Sequence, residues 1–188
     1  MAETKTVVKV KKRRFTVLAP ELFNKRELAD ISAVSADSTV GKFIDVTGQM
    51  LTGVPKDMNR KYKLKIFEAV GDKVNTKPQA YYITESFVQR TARRYKERFI
   101  YVTKGTSKDG KIIVIKLQFF NLKKLHHSER GALLAQTKSF LANETKNIDA
   151  EKLFDPLTIE KLAADLRKAL ADIYAVDKII LTKLSVAN

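Results

Sequence analysis

Thr84-Glu-Ser-Phe-Val-Gln-Arg-Thr-Ala-Arg-Arg-Tyr-Lys-Glu-Arg98 runs directly into two strand-like segments, 99–104 and 111–120, separated by Lys108-Asp109-Gly110. Placed at about 100° per residue, Phe87, Val88, Thr91, Ala92 and Tyr95 fall on one side of a helix, and Arg90, Arg93, Arg94 and Lys96 on the other. The spacing predicts a helix over 84–98 with one face to bury and one to meet water or anions. Thr84 or Ser86 is placed to cap it, and Glu85 suits the positive end of its dipole. Gln89 follows Ser86 at capping-box spacing. A solvated basic face is the plain reading of such a helix taken alone, so its meaning depends on the rest of the chain.

Downstream, Asp109-Gly110 is a turn dipeptide that supplies positive φ and predicts a hairpin. Leu133, Leu134, Thr137, Phe140 and Leu141 recur at three-and-four spacing and predict a helix over 128–143. Thr158 is placed to cap a third helix with the stripe Ile159, Leu162, Leu166, Ala169, Leu170 and Ile173, and 178–186 reads as a closing strand. Upstream, Tyr62, Leu64 and Ile66 alternate with Lys61, Lys63 and Lys65, the pattern of a strand with one buried and one wet, basic face. Gly71-Asp72 turns the chain into 73–83, where Pro78 demands an edge or a bulge. Residues 40–47 and 15–18 read as strands, the latter stopped by Ala19-Pro20. Residues 21–39 read as loop with a turn of helix. The expected fold is α+β: a mostly antiparallel seven-stranded sheet or barrel, a basic helix between strands, two further helices and a basic N-terminal arm.

The 188 residues carry 36 Lys and Arg against 21 Asp and Glu, a net charge of +15, with 44% hydrophobic content. That is a folded chain whose partner is a polyanion, RNA or DNA first and an anionic membrane second. The charge is uneven. Residues 1–14 hold six basic side chains and one acid, and 84–130 hold twelve and four, whereas 149–177 hold four and seven. Residues 1–14, with only valines among their large side chains, read as a flexible arm, and 15–186 as one domain. Phosphate contact is expected of Lys11, Lys12, Arg13 and Arg14 in the arm, of Arg90, Arg93, Arg94, Lys96 and Arg98, and of Lys123, Lys124 and Arg130. Phe15, Tyr95, Phe99 and Tyr101 lie near these clusters, but their positions favour core packing over base stacking.

Chemistry of other kinds finds little support. The chain has no Cys, and His126-His127 lack the i, i+4 relation and the neighbouring ligands of a metal site, so no metal is expected. Thr39-Val-Gly-Lys-Phe43 is not a phosphate loop, because Ala36 stands where the first Gly belongs and Phe43 where a Ser or Thr must bind magnesium. Asn143-Glu-Thr145 fits a glycosylation acceptor by accident of a helix end. No Gly-x-Ser-x-Gly, His-Glu-x-x-His or paired-carboxylate arrangement appears. Catalytic residues, cofactors, a membrane and a small-molecule substrate are therefore not expected. With no apolar run of export or membrane-spanning length, the expected location is the cytoplasm.

Several strings resemble a known family, the small-subunit ribosomal proteins of archaea and eukaryotes called S-three-A-e, or S-one-e in newer naming. Phe15-Thr-Val-Leu-Ala-Pro-Glu-Leu-Phe23 is similar to the family's opening segment. Val40-Gly-Lys-Phe-Ile-Asp-Val-Thr-Gly-Gln-Met-Leu-Thr-Gly53 is similar to its most characteristic string, with Lys42 for a usual Arg and Asp45 for a usual Glu. Residues 65–77, Arg93-Arg94, 103–111 and Ser128-Glu129-Arg130 follow in family order, while Tyr174-Ala-Val-Asp-Lys178 departs from the usual Pro and basic run. The length resembles archaeal members. The resemblance implies a structural protein of the small ribosomal subunit, bound to ribosomal RNA on the platform near the messenger exit. Neighbouring platform proteins, and messenger RNA near the exit, would be further partners. It also favours Arg93 and Arg94 among the basic residues. The competing class is a free RNA-binding regulator or RNA-modifying enzyme.

Overall fold

The computed structural model describes residues 12–187. Eight strands and four α-helices follow one another as β1 (Arg13–Leu18), β2 (Glu27–Ala33), β3 (Phe43–Thr47), α1 (Gly48–Thr52), β4 (Arg60–Val70), β5 (Lys73–Ile83), α2 (Glu85–Ala92), β6 (Glu97–Thr106), β7 (Ile112–Asn121), α3 (His127–Asn147), α4 (Pro156–Leu170) and β8 (Lys178–Val186), with short 3₁₀ turns between. All strands join one sheet in which β5 is the branch point. Antiparallel β4 runs along one side of β5 and carries β3 on its far edge. On the other side, β5 pairs in parallel with β1 at residues 73–75 and antiparallel with β8 at residues 80–82. The paths β1-β2 and β8-β7-β6 continue outward from there.

This arrangement accounts for Pro78. It stands between the two half-length partners of β5, where neither needs its missing N–H, and the opposing ladder absorbs it with a bulge at Lys63/Leu64. Among the described residues, strands β2, β3 and β6 each pair on one side only, so the described sheet is open and not a closed barrel.

Two layers of apolar contact bury one face of the sheet. Tyr62, Leu64, Tyr81, Phe99, Ile113, Ile115, Leu117, Phe119, Leu181 and Leu184 pack against Leu133 and Leu141 of α3 and Ile159, Leu162, Leu166 and Leu170 of α4. Phe99 stacks on Phe119 at 4.7 Å between centroids. Each fully buried aromatic or branched side chain here contributes about 1.5–3 kcal/mol through removal from water.

Four expectations need correction. The stretch 21–39 contains β2, an edge strand paired only with β1 and mostly exposed, so it carries almost no hydrophobic period. The first strand starts at Arg13, with Arg13 opposite Ala33 and Arg14 opposite Ser32, two residues before its expected start at Phe15 and inside the expected arm. Helix α4 begins at Pro156 with Asp155 as N-cap, and Thr158 Oγ1 donates to Asp155 Oδ2 at 3.3 Å instead of capping; the helix stops before Ile173, which is exposed. Helix α2 ends at Ala92 instead of Arg98.

Candidate nucleic-acid interface

Helix α2 lies on the sheet face opposite α3 and α4. Val88 is fully buried in a cluster with Phe120 and Ile180, flanked by Ile83, Phe87, Ala92 and Tyr95. The Tyr95 ring meets Phe120 at 5.6 Å. Thr84 holds the N-cap position with its backbone carbonyl, which takes the N–H groups of Phe87 and Val88, while its side chain makes no cap. Gln89 donates to Glu85 at 2.8 Å one turn away, so the expected capping box is absent. The helix ends because the chain tightens into i, i+3 turns at Arg94 and Tyr95, and the Lys96 N–H then goes to Asn121 O to start the β6–β7 ladder. Tyr95 keeps its place on the buried side through this turn.

The consequence is a cluster of cations at one end of the β6–β7 hairpin. Arg90 lies over the Phe87 ring at 5.6 Å. Arg93 is the C-cap of α2, Arg94 and Lys96 follow in the turn, and Arg98 sits in β6; all are exposed. Since Glu97 pairs with Asn121 across the ladder, the loop carrying Lys123 and Lys124 leaves from the same end. Lys178, at the start of β8 opposite Phe120, joins it. Arg130, on the first turn of α3, stacks its guanidinium 4.9 Å over Phe99, which faces the helix layer, so it lies at the same end of the hairpin on the opposite face of the sheet from α2.

The acids at this end are occupied by main chain. Asp177 accepts the Leu122 N–H at 2.7 Å, Glu97 accepts that of Leu125, and Glu129 accepts that of His126 at 2.9 Å. They order the loop that presents Lys123 and Lys124. Among the described residues, none of Arg90, Arg93, Arg94, Lys96, Arg98, Lys123, Lys124 and Arg130 is in an ion pair; the ion pairs lie elsewhere, at Lys25, Lys56, Arg60, Lys73, Lys77, Lys152 and Lys168.

The arm cations do not join this cluster. Lys11 lies outside the described residues. Lys12, Arg13 and Arg14 are exposed beside the opposite end of β5, because Thr16 is level with Lys73 whereas α2 follows Ile83. Ten strand steps separate these ends, about 33 Å. Among the described residues no three His, Cys, Asp or Glu side chains come together as metal ligands, and no helix is long and apolar enough to cross a membrane.

The Ribosomal S3Ae family model matches residues 3–188. The chain belongs to this family. Similar proteins include small ribosomal subunit protein eS1 of Methanothrix thermoacetophila, 24% identical over 175 residues that cover 93% of this chain and 83% of the relative. The eS1 of Archaeoglobus fulgidus is 24% identical over 191 residues, covering 98% and 90%, and that of Saccharolobus islandicus strain L.S.2.15 is 26% identical over 180, covering 93% and 84%.

The string 40–53, similar to the family's most characteristic string, builds structure in this member. It forms β3 and α1 and ends at Gly53, whose φ of 77° closes the helix. A Cβ on Gly48 would come within 2.7 Å of the Asp57 carbonyl oxygen. That close approach sets up the pair in which Arg60 donates to buried Asp57 at 2.9 Å and also to Glu160 of α4. Beside it, burial pushes the Tyr81 phenol up to about 12 and raises that of Tyr62 further. Sequence reasoning passed over this node; it read the outward lysines of β4 as a wet, basic face without counting them as phosphate contacts, and it passed over those of β7 and β8.

Proposed function

We propose that this protein is a non-enzymatic structural constituent of the small ribosomal subunit and binds ribosomal RNA. Membership of the Ribosomal S3Ae family and the names of its eS1 relatives support the assembly. The observation that carries the RNA contact is the cluster of unpaired, exposed cations on one end of the β6–β7 hairpin, with the nearby acids held by backbone amides. Arg90, Arg93, Arg94, Lys96, Arg98, Lys123, Lys124 and Arg130 make the principal phosphate contacts. Lys12, Arg13 and Arg14 engage RNA separately at the far end of the sheet, and Lys11, outside the described residues, is a further phosphate contact of the arm. Arginine forks suit phosphate oxygens, and the lysines act as point charges.

On this reading the protein sits on the subunit platform near the messenger exit, beside other ribosomal proteins and within reach of messenger RNA, in the cytoplasm. Sedimentation of a cell lysate at low salt tests it. The protein should travel with small subunits and leave them as salt is raised. Retention in the soluble fraction would refute the ribosomal assignment, and crosslinking followed by sequencing of the bound RNA would give the address.

A further inference from the structure

Among the described residues, the sheet face that carries α2 is covered only at one end. Over the rest, the register lines up outward side chains in rows that cross six strands. One row reads Val102 on β6, Lys116 on β7, Lys183 on β8, Tyr82 on β5, Lys61 on β4 and Thr47 on β3. The next reads Lys104, Val114, Ser185, Ala80, Lys63 and Asp45. Lys65 and Phe43 continue it at the β4–β3 corner. Neighbouring strands are ~4.8 Å apart and alternate residues along a strand ~6.7 Å apart, so the lysines form a two-dimensional grid.

Three properties set this grid apart from an ordinary wet face. Lys116 stands directly opposite Lys183, a like-charge cross-strand pair that costs stability and has no acid to relieve it. Among the described residues, Lys61, Lys63, Lys65, Lys104, Lys116 and Lys183 make no ion pair. The one acid in the rows, Asp45, lies against the Tyr82 phenol. Third, apolar surface is interleaved with the charge. Val102 is 55% exposed, Phe43 47% and Ile100 42%, and Lys63 and Lys65 place their ammonium groups 4.9 and 6.0 Å from the Phe43 ring centroid.

We infer that this open face binds a single-stranded segment of RNA, its phosphates over the lysine rows and its bases against Phe43, Val102 and Ile100. Unpaired lysines supply sequence-independent phosphate contact, and apolar side chains between them meet the flat faces of unstacked bases. A duplex keeps its bases stacked inside and leaves those apolar groups uncovered, and an acidic peptide has no use for them. The inference rests on the RNA-binding reading above and adds a second surface to it, continuous with the α2 end through Arg98 and Ile100.

The test measures binding of the full chain to oligouridylate, to duplex RNA and to polyglutamate by fluorescence anisotropy over a salt series. Lys116→Gln with Lys183→Gln should weaken oligouridylate about tenfold and take about 1.4 from the log–log salt slope, at ~0.7 per lost single-strand phosphate contact. Duplex binding should change little. Phe43→Ser should weaken oligouridylate with the slope kept. Arg93→Gln with Arg94→Gln should act mainly on the duplex. The lysine variant should melt no lower than the native chain, since a repulsion has been removed. A native slope for oligouridylate in that variant would overturn the inference while the α2 reading stands or falls on the arginine variant. Equal losses on duplex, or competition by polyglutamate as strong as by oligouridylate at matched charge, would overturn it in favour of a different occupant. A drop in melting temperature large enough to account for the lost binding would overturn it by making the lysines part of the fold.

Discussion

Reversing Arg93 and Arg94 to Glu separates the charge of α2 from its role in the fold. Both side chains are exposed and neither is in an ion pair among the described residues; Glu97, the nearest candidate partner in sequence, spends its carboxylate on the Leu125 N–H. What the fold loses is a favourable pair of cations at the C-terminal end of α2, worth about 0.3–1 kcal/mol each and converted by reversal into a comparable penalty. The total, about 1–4 kcal/mol, lowers the melting temperature of a chain this size by roughly 2–4 °C per kcal/mol. What RNA binding loses is two phosphate contacts, or about 1.4–1.8 in the log–log salt slope. Lys138→Glu with Lys161→Glu, exposed positions on α3 and α4, makes the same change in net charge on the other side of the sheet and serves as control. Melting curves and RNA titrations over a salt series are read together. Val88→Ala supplies the converse: it empties a fully buried site against Phe120 and Ile180 at a cost of ~2 kcal/mol, and should leave the slope intact. Equal slope losses in the α2 and control pairs would reduce the effect to net charge. A collapse in melting, with normal binding in the folded fraction, would make the arginines structural. Either result refutes the assignment of the cluster to RNA.

The Arg60 node should make stability depend on acid pH. The Arg60 hydrogen bond, helped by Lys56, holds the Glu160 carboxyl below its ordinary 4.5, so the stabilisation is fully present above that value and lost as pH falls through the lowered one; Glu160→Gln should melt lower than the native chain at neutral pH, the gap closing as the pH falls below 4.5, and a constant gap would show that charge is not its source. Gly105→Ala should cost about 1–3 kcal/mol, because the new Cβ would lie 2.6 Å from Thr145 Oγ1 on α3, itself tied to Leu141 O at 2.7 Å; Thr145→Ala should recover part of the loss, and an unchanged melt in the single variant would show that Thr145 yields to the added methyl at no cost.

Local pattern made much of this fold readable. The alternation at Lys61 to Ile66 identified β4 and both its faces, the stripe from Ile159 to Leu170 identified α4, and Asp109-Gly110 marked the β6–β7 turn, where Gly110 has φ 74°. The errors came where a long-range contact decides. A helical wheel continued through 84–98 buries Tyr95 on the same side as Phe87 and Val88, and so does the observed turn, so the buried face cannot tell the two apart. The choice is made by the Lys96 N–H finding Asn121 O, twenty-five residues away. Strand β2 escaped for a related reason, since an edge strand with one partner and half-exposed Leu28 and Ile31 has little burial to write into its sequence.

For the candidate site, composition along the chain identified the cations but not their grouping. Arg90 to Arg98 and Lys123 to Arg130 come together only because the hairpin register sets Glu97 opposite Asn121, and Arg13 and Arg14 stay apart because β1 joins β5 at its opposite end. The outward lysines are the harder case. Period-two alternation says that one face of a strand is wet, and it is silent on what lies beside that face. Lys116 in Ile-Lys-Leu and Lys183 in Thr-Lys-Leu look like solubilising residues until the β7–β8 register sets them against each other. An opposed pair of lysines with no acid between them is a cost the fold carries without any internal return, and a polyanion laid over the face would turn that cost into binding.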